Sequence, residues 1–195
     1  MQEIIARTRS FRRFFEKERI SRDTLYELID LARLGGSARN GQVWQYMVAD
    51  EPEICGKIFP FLGWAGYLPD WKGPVEGERP SAYILCFLNR NWLKGPESWA
   101  QFDLGIATQN LLLGAMEKRI GGCRIAAFSP NLASMFKVPD HLELSLVVAL
   151  GKPRETVIIE ECKDDDDIRY WRDEKEVHHV PKRSFSSCLL PLELY

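Results

Sequence analysis

The chain has 195 residues, a length that favours one large domain and allows a hydrophobic core without disulfide or metal staples. Hydrophobic residues make up 45% and charged residues 28% of the chain, which excludes a wholly disordered or collagen-like protein. The 26 basic and 28 acidic residues give a net charge of -2, so the overall electrostatic field of the protein does not call for a nucleic-acid or membrane partner.

Two helices are predicted from hydrophobic periodicity. The first begins after Ser21, whose hydroxyl can cap free backbone amides, carries an apolar face over residues 25–32 and ends at Gly35. The second runs over about residues 102–119 and leaves no polar face. We therefore expect this second helix to be buried on nearly all sides.

Four strands are predicted, over residues 46–49, 82–88, 123–127 and 142–150. The last of them first alternates apolar and polar residues and then becomes wholly apolar, which indicates that it enters the core. Strands separated by long helical segments predict a single α+β domain over residues 1–195, with helices packed on one sheet.

Two stretches show no regular pattern. Residues 60–80 are rich in Trp, Gly and Pro. A loop of this length is either a functional lid or an aromatic cluster that packs on the surface or against a second subunit, and both interpretations stay open. The four consecutive aspartates at 164–167 are interpreted as a solvated turn rather than as a metal site.

The pattern of cysteines and the length of the apolar runs predict the cellular location of the protein. The five cysteines are scattered and form no C-x-x-C pair, which is typical of reduced thiols in a cytosol. The chain starts without the apolar stretch of a signal peptide, and its longest apolar runs are shorter than the roughly 18 residues that cross a bilayer. We expect a cytoplasmic protein with no membrane partner.

Cations cluster near both ends of the chain. Residues 7–14 combine arginines with a serine and apolar spacers, a mixture that suits phosphate because Arg gives charge-assisted bonds and Ser a short neutral one. Residues 178–183 add further cations next to a proline. If the two ends meet, four positive charges can surround one phosphate group. A basic surface arm or a nucleic-acid arm is the alternative, although the rest of the chain supplies no matching basic surface.

A polar loop with Ser37, Asn40 and Gln42 follows the first helix. Such side chains suit the edge of a heterocycle with alternating donors and acceptors, and a simple helix-to-strand turn explains them equally well. The loop is not a phosphate-binding loop, because phosphate-binding glycines follow a strand. The neighbouring His178 and His179 would point to opposite faces of a strand, so we expect no metal site.

Four motifs, in order, resemble the nitroreductase family of flavin mononucleotide (FMN) oxidoreductases over essentially the whole chain. The family signature R-S-x-R-x-F corresponds to residues 9–14 and the loop S-x-x-N-x-Q-P-W to residues 37–44. The helix D-x-G-x-A-x-Q-N-L-L-L corresponds to residues 103–113, and it leads into the strand at 121–128. The strand that ends at 149–153 also ends as it does in relatives.

The resemblance implies three groups of FMN-binding residues and no catalytic side chain. The group for the phosphate and ribityl chain would be Arg9, Ser10, Lys182 and Arg183, with Arg12 at the pyrimidine edge of the flavin. The group against the ring system would be Ser37, Asn40 and Gln42. The turn at Ala126 and Ala127 would lend a backbone amide to flavin N5, the atom that gains and gives hydride.

Three departures from the family pattern concern substrate preference. Thr8 stands where many relatives carry another arginine, Val43 replaces the usual proline, and Ala126 stands where some members carry glutamate. Each departure weakens the transfer of substrate preference from relatives, and none removes the flavin site.

The implied protein is a nitroreductase-like α+β fold, with a central, mostly antiparallel sheet flanked by helices, that forms an interlocked homodimer with FMN at the subunit interface. The implied reaction passes hydride from NADH or NADPH to an electrophilic acceptor such as a nitroaromatic, a quinone or an enone, by a ping-pong mechanism. The alternative is a flavin storage, sensor or scaffold protein of the same fold. An RNA-binding protein that uses the basic N-terminal arm ranks below both.

Overall fold

The computed structural model describes residues 1–163 and 167–192. The helices of these residues are α1 Gln2–Arg7, α2 Arg22–Arg33, α3 Pro52–Ile58 and α4 Glu97–Glu117. The strands are β1 Trp44–Ala49, β2 Ala82–Asn89, β3 Gly121–Ile125, β4 Leu142–Gly151, β5 Val157–Glu161, β6 Trp171–Arg172 and β7 His178–Lys182. Among the described residues, no helix has the length and apolar character that crossing a membrane requires.

A four-stranded antiparallel sheet forms the centre of the fold. Its strand order is β1-β2-β4-β3, and its longest pairing joins β2 to β4 from Ala82 opposite Leu150 to Asn89 opposite Leu142. The predicted α+β class with helices beside a mostly antiparallel sheet is confirmed, and all four predicted strands are present. The third strand lies two residues earlier than predicted, because it begins at Gly121 and ends at Ile125 rather than at residue 127. A second sheet of order β5-β7-β6, parallel between β5 and β7, was not predicted.

Strand β2 lies between the two halves of the hydrophobic core, one on each face of the sheet. All eight of its residues are buried, because both faces of the sheet are covered. One set of alternating side chains, which includes Ile84 and Leu88, packs with α2 and α4. The other set, which includes Tyr83 and Leu85, packs with α3 and with Leu132 on the opposite face. The unbroken apolar run of this strand is therefore the sequence pattern of a two-sided core.

Helix α2 follows its prediction closely. The Ser21 hydroxyl accepts the Thr24 N–H at 3.2 Å, which satisfies one of the free amides at the helix start. Leu25, Leu28 and Ala32 are buried on one face, as their spacing predicts. The helix ends at Arg33, before the glycines.

Helix α4 differs from its prediction in start and burial. It begins at Glu97, directly after Pro96, so its first turn precedes the predicted start. In the single chain the helix is not buried on nearly all sides, because Phe102 is 71% exposed and Ile106 is 46% exposed. The second half conforms to the prediction, with Leu111 and Ala115 fully buried. The first half of α4 thus presents exposed apolar side chains that no described residue covers.

Three glycines of β3 and β4 lie in closely packed places, two against the N-terminal segment and one against α4 and the neighbouring strand. A Cβ on Gly122 would come within 2.5 Å of the Leu112 side chain and 2.9 Å of the Ala149 carbonyl oxygen. A Cβ on Gly121 would meet the Phe11 ring at 2.6 Å, and one on Gly151 would meet Phe14 at 2.8 Å. The absence of side chains at these positions is therefore a packing requirement.

We expect Gly122→Ala to lower the free energy of unfolding by about 1–3 kcal/mol, because the added methyl group overpacks a closed site. Urea denaturation measures this change. Gly56→Ala in α3 is the matched control, since nothing lies within 4 Å of the added Cβ, and it should be neutral or slightly stabilising. Equal effects of the two substitutions would contradict the packing requirement.

Candidate functional site

The N-terminal signature, residues 9–14, lies along the free edge of β3. Ser10 forms a parallel bridge with Gly122, and the Phe11 N–H donates to the Gly122 carbonyl at 3.1 Å. Phe11 and Phe14 are buried in a small cluster with Met116 of α4. The apolar residues of the signature therefore anchor it on the sheet, and its polar residues lie at the edge.

The end of β3 offers backbone donors at the same edge. The Gly122 carbonyl accepts the Phe11 N–H, so the outer edge of β3 faces the signature. Ala126 and Ala127 directly follow Ile125, the last residue of β3. Ala126 and Ala127 are both exposed, and no backbone carbonyl of residues 1–163 and 167–192 accepts either N–H. Both amides are thus free to donate to a ligand.

A buried carboxylate joins the two ends of the chain. The Glu155 side chain is fully buried, and its Oε1 accepts the backbone N–H of Arg12 and, at 3.2 Å, that of Arg13. Its Oε2 accepts an N–H of Arg172 at 3.1 Å. One side chain thereby links the signature to β6, and it fixes the signature by its backbone rather than by its guanidinium groups.

Arg13 is a structural residue of the signature. Its guanidinium binds Glu78 through two parallel bonds of 2.5 and 2.7 Å and reaches Glu176 at 3.1 Å. The hydrogen bonds from Arg13 lower the pKa of Glu78, although burial of that carboxyl opposes the shift. This fork-shaped pairing ties the signature to the end of the 60–80 loop.

Arg12 is held in a buried position between the signature and the C-terminal strands. Its Nη1 donates to the Ser10 carbonyl at 3.2 Å and lies 3.0 Å from His178 Nε2. Its guanidinium carbon lies 4.7 Å from the centre of the Tyr170 ring. The Arg12 backbone and side chain are thus both held by residues from the other end of the chain.

His178 is the neutral partner of Arg12. It is fully buried, and burial lowers its pKa to about 4, with the positive charges of Arg12, Arg172 and His179 adding to the shift. A neutral imidazole nitrogen can accept the Arg12 N–H, whereas an imidazolium cannot. The pair therefore brings no negative charge to Arg12.

The signature fits a ligand rich in hydrogen-bond acceptors. The Nε atoms of Arg9 and Arg12 are buried and have no partner among the described residues. Burial also lowers the pKa of Arg9, and its Nη2 donates to the Ile5 carbonyl at 2.7 Å. Buried donors without partners are uncommon in folded proteins, and the two in this motif are available to a ligand acceptor. A phosphorylated flavin carries acceptors of this kind.

The second group of candidate residues lines a separate cleft of about 350 Å³. Ser37 and Gln42 line it together with Trp92 and the buried Asp103 of α4, whose carboxylate accepts the Ala38 N–H. Asn40 is not among the lining residues, but its side chain accepts a hydrogen bond from the Gln42 amide at 3.1 Å.

Left-handed backbone shapes this loop. Arg39, Asn40 and Gln42 have φ angles of 53°, 52° and 47°, which are unfavourable for residues with a side chain. Three such residues give this short loop an uncommon backbone conformation.

The structure does not bring the three predicted groups into one place within a single chain. None of the residues that line the cleft belongs to the signature or to the turn at Ala126. The cleft includes Asp103 of α4, whereas the signature packs on Met116, roughly 20 Å away along the helix axis. Lys182 and Arg183 are exposed, with Lys182 roughly 13 Å beyond His178 along β7.

The 60–80 loop packs its aromatic side chains on the C-terminal segment. The Tyr67 and Tyr170 rings lie 5.0 Å apart, and Arg172 lies 4.1 Å from the centre of the Trp71 ring. The Gly63 N–H donates to the Ala127 carbonyl at 2.7 Å, which places the loop beside the turn after β3. These contacts favour packing over a detached lid. Of the predicted acidic turn, residues 164–166 lie outside the described residues.

Glu155, Tyr170 and Arg172 were not among the predicted site residues. Each occurs in a stretch whose sequence looks like an ordinary charged surface, and their contacts join residues far apart in the chain. The distance in sequence from Arg12 to its partner His178 is 166 residues. The sequence feature that points to these contacts is the pair of cationic clusters at the two ends of the chain. It predicts that the two ends meet, but it does not identify the groups that contact each other.

Comparison with known proteins gives a consistent fold and family resemblance. No protein-family model matches the chain. A protein of Methanothermobacter thermautotrophicus, provisionally named an NADH dehydrogenase/NAD(P)H nitroreductase, is 26% identical over 174 residues, which are 85% of this chain and 84% of that protein. A protein of Archaeoglobus fulgidus with the same provisional name is 26% identical over 163 residues, 80% of this chain and 88% of that protein.

Solved structures agree with these relatives. A nitroreductase family protein of Clostridium novyi NT is 25% identical with a TM-score of 0.62, and the match covers 78% of this chain and 86% of that chain. A provisionally named nitroreductase of Desulfovibrio desulfuricans, crystallised with FMN, matches with a TM-score of 0.67 at 20% identity, over 100% of this chain and 97% of that chain. The predicted resemblance to the nitroreductase family is confirmed, and the fold is nitroreductase-like.

We expect Glu155→Ala to lower the free energy of unfolding by about 3–5 kcal/mol, because it leaves Arg172 buried without its carboxylate and frees the backbone of the signature. Chemical denaturation measures the loss. The matched control is Glu53→Ala, which breaks an exposed pair with Lys57 and should leave stability unchanged within error. A loss for Glu155→Ala as small as that of the control would refute its role as the link between the chain ends.

Proposed function

We propose that this protein is an FMN-dependent oxidoreductase that passes hydride from NADH or NADPH to an electrophilic acceptor such as a nitroaromatic, a quinone or an enone, by a ping-pong mechanism. The observation that carries the proposal is the edge of β3. There the signature holds two buried arginine Nε atoms that have no partner in residues 1–163 and 167–192, and the exposed amides of Ala126 and Ala127 follow the strand. The provisional names of the relatives and the FMN of the Desulfovibrio protein support the same activity.

In the proposed site, Arg9 and Ser10 bind the phosphate and ribityl chain, and Lys182 and Arg183 contribute from the C-terminal strand. Arg9 suits this role because its buried Nε–H has no acceptor in the part of the chain that the structure describes. Charge-assisted bonds from guanidinium groups are the strong ones for phosphate. Ser10 is exposed on the same edge and offers a hydroxyl donor.

Arg12 lies at the pyrimidine edge of the ring in this proposal, and Ala126 or Ala127 donates a backbone N–H to N5. Bound FMN would supply the two-electron chemistry, in which hydride enters and leaves at N5. A fixed cation stabilises the negative charge that develops on the ring during reduction, and a buried cation does so without reorganisation. A main-chain donor at N5 explains why no side-chain acid or base is needed there.

A homodimer completes the proposed site. The cleft with Ser37, Asn40 and Gln42 and the edge of β3 are separate in one chain, so we propose that each subunit contributes its cleft to the signature of the partner. The first half of α4 exposes Phe102 and Ile106, as a protein interface would. The C-terminal segment exposes Phe185 at 80% and Leu190 at 93%, which suits a segment that interlocks with a second subunit.

We expect Arg9→Ala to weaken FMN binding about 10- to 100-fold, because a charge-assisted bond to phosphate is lost. Riboflavin, which lacks the phosphate, should bind the variant and the original protein equally. Fluorescence titration with both flavins measures the two dissociation constants. Lys57→Ala removes an exposed cation in α3 and is the control that should leave FMN binding unchanged.

Anaerobic titration of the FMN-loaded protein with NADH and with NADPH tests turnover. Bleaching of the flavin absorption, followed by its return on addition of a quinone, is the expected result. A protein that gains no flavin absorption with FMN would refute the proposed function. Flavin that binds but that neither nicotinamide reduces would favour a storage, sensor or scaffold protein.

We expect Ile106→Glu to convert the dimer into monomers and to weaken FMN binding, because a charge is placed in the apolar face of α4. Sedimentation velocity measures the assembly state, and fluorescence titration measures the flavin. Val75→Glu places the same charge on an exposed loop residue and should change neither. A wild-type monomer that binds FMN fully would overturn the shared site.

A further inference from the structure

We propose that His178 is a positioning residue of the flavin site: its Nε2 accepts an N–H of Arg12 and fixes the direction in which that guanidinium presents its unpaired Nε–H. The inference rests on the proposed function, because Arg12 is the cation assigned to the pyrimidine edge of FMN. It concerns a residue that acts through another and does not touch the reacting atoms.

The Arg12 guanidinium is constrained on three sides. Its Nη1 is shared between the Ser10 carbonyl at 3.2 Å and His178 Nε2 at 3.0 Å. The Tyr170 ring covers one face of the guanidinium, with its centre 4.7 Å away. The remaining buried donor without a partner among the described residues is Nε. A planar group held at one edge and on one face keeps that donor in one direction.

Imidazole is well suited to this task because it accepts a hydrogen bond without bringing a negative charge. A carboxylate in the place of His178 would hold Arg12 equally well, but it would cancel the charge that the flavin site requires. The buried carboxylate nearby, Glu155, binds the Arg12 backbone and the Arg172 guanidinium instead. The structure thus separates the group that fixes the Arg12 backbone from the group that orients its side chain.

The charged groups around His178 keep it in the accepting form. Arg12, Arg172 and His179 all disfavour a second proton on its ring, and the ring is fully buried. The Glu155 carboxylate nearby is bound to Arg172 at 3.1 Å. With Nε2 accepting from Arg12, the proton of the neutral ring resides on Nδ1, which has no partner among the described residues.

The protonation state of His178 is the first test, and it needs no flavin. Nitrogen-15 NMR of the apo protein should show a neutral ring with the proton on Nδ1 at pH 7 and at pH 5. An imidazolium at pH 7, or a neutral ring with the proton on Nε2, would overturn the proposal whether or not the protein binds FMN. His179→Gln assigns the signals, since His141 is the third and last histidine of the chain.

Substitution gives the second test. In the FMN-loaded protein, His178→Leu removes the acceptor and should weaken FMN binding about tenfold and lower the flavin midpoint potential. His178→Gln retains an acceptor and should restore both values to within threefold of the original affinity and close to the original potential. If the role of His178 were purely structural, His178→Gln would not restore the flavin midpoint potential.

The controls separate failure of this inference from failure of the proposed function. His179→Gln alters the neighbouring ring, which stacks on Trp171, and should change neither affinity nor potential. If the original protein binds FMN and His178→Leu equals His179→Gln in both values, the positioning role is wrong and the proposed function stands. If the original protein binds no FMN, the proposed function is wrong. The NMR measurement then still tests whether His178 accepts an N–H of Arg12. Should His178→Leu fail to fold, His178→Gln and NMR remain decisive.

Stability as a function of pH follows from the same pair. The folded pKa of His178 is about 4, below the ordinary value of 6.5, so the folded state favours the neutral ring. The neutral ring therefore contributes to the free energy of unfolding. This contribution is complete above pH 6.5 and is lost as pH falls from 6.5 to 4, because His178 of the unfolded chain binds its proton at a higher pH than His178 of the folded chain. We expect the melting temperature of the original protein to fall more steeply over this range than that of His178→Gln. Parallel curves would contradict the buried neutral ring.

Discussion

The buried carboxylate of Glu155 is the constraint on which the arrangement of the site depends. It binds the backbone of Arg12 and Arg13 with one oxygen and the guanidinium of Arg172 with the other. A buried carboxylate needs such partners, because an unpaired charge in the interior is unstable. The backbone of the signature is therefore fixed by a group that leaves the Arg9 and Arg12 side chains available for a ligand.

Local sequence patterns predict the sheet and its helices, but they predict the residues of the site only in part. Ser21 and the apolar spacing after it predict α2, and the apolar run of β2 predicts a strand covered on both faces, because these signals act over a few residues. The strands β5 and β7 were missed, since Val157–Glu161 and His178–Lys182 mix charges with apolar residues and pair only through long-range contacts. The same limit applies to His178 as the partner of Arg12.

The predicted meeting of the two chain ends takes a different form from the one expected. Lys182 and Arg183 were assigned to the phosphate, whereas the C-terminal residues that contact the signature are Tyr170, Glu176 and His178. Charge alone cannot distinguish these positions, because all are cationic or titratable residues in one short segment. The distinction arises from the strand geometry of β7, which places His178 in the core and Lys182 at its exposed end.

The contacts of Arg12 span nearly the whole length of the chain, with partners 143 and 166 residues away. The signature is synthesised before Glu155, Arg172 and His178. Contacts between residues so far apart in the chain form late in folding, after helices that are held by local contacts. The nascent chain therefore carries its basic signature without these stabilising partners until residue 178 has been made, and the signature becomes ordered only after that point.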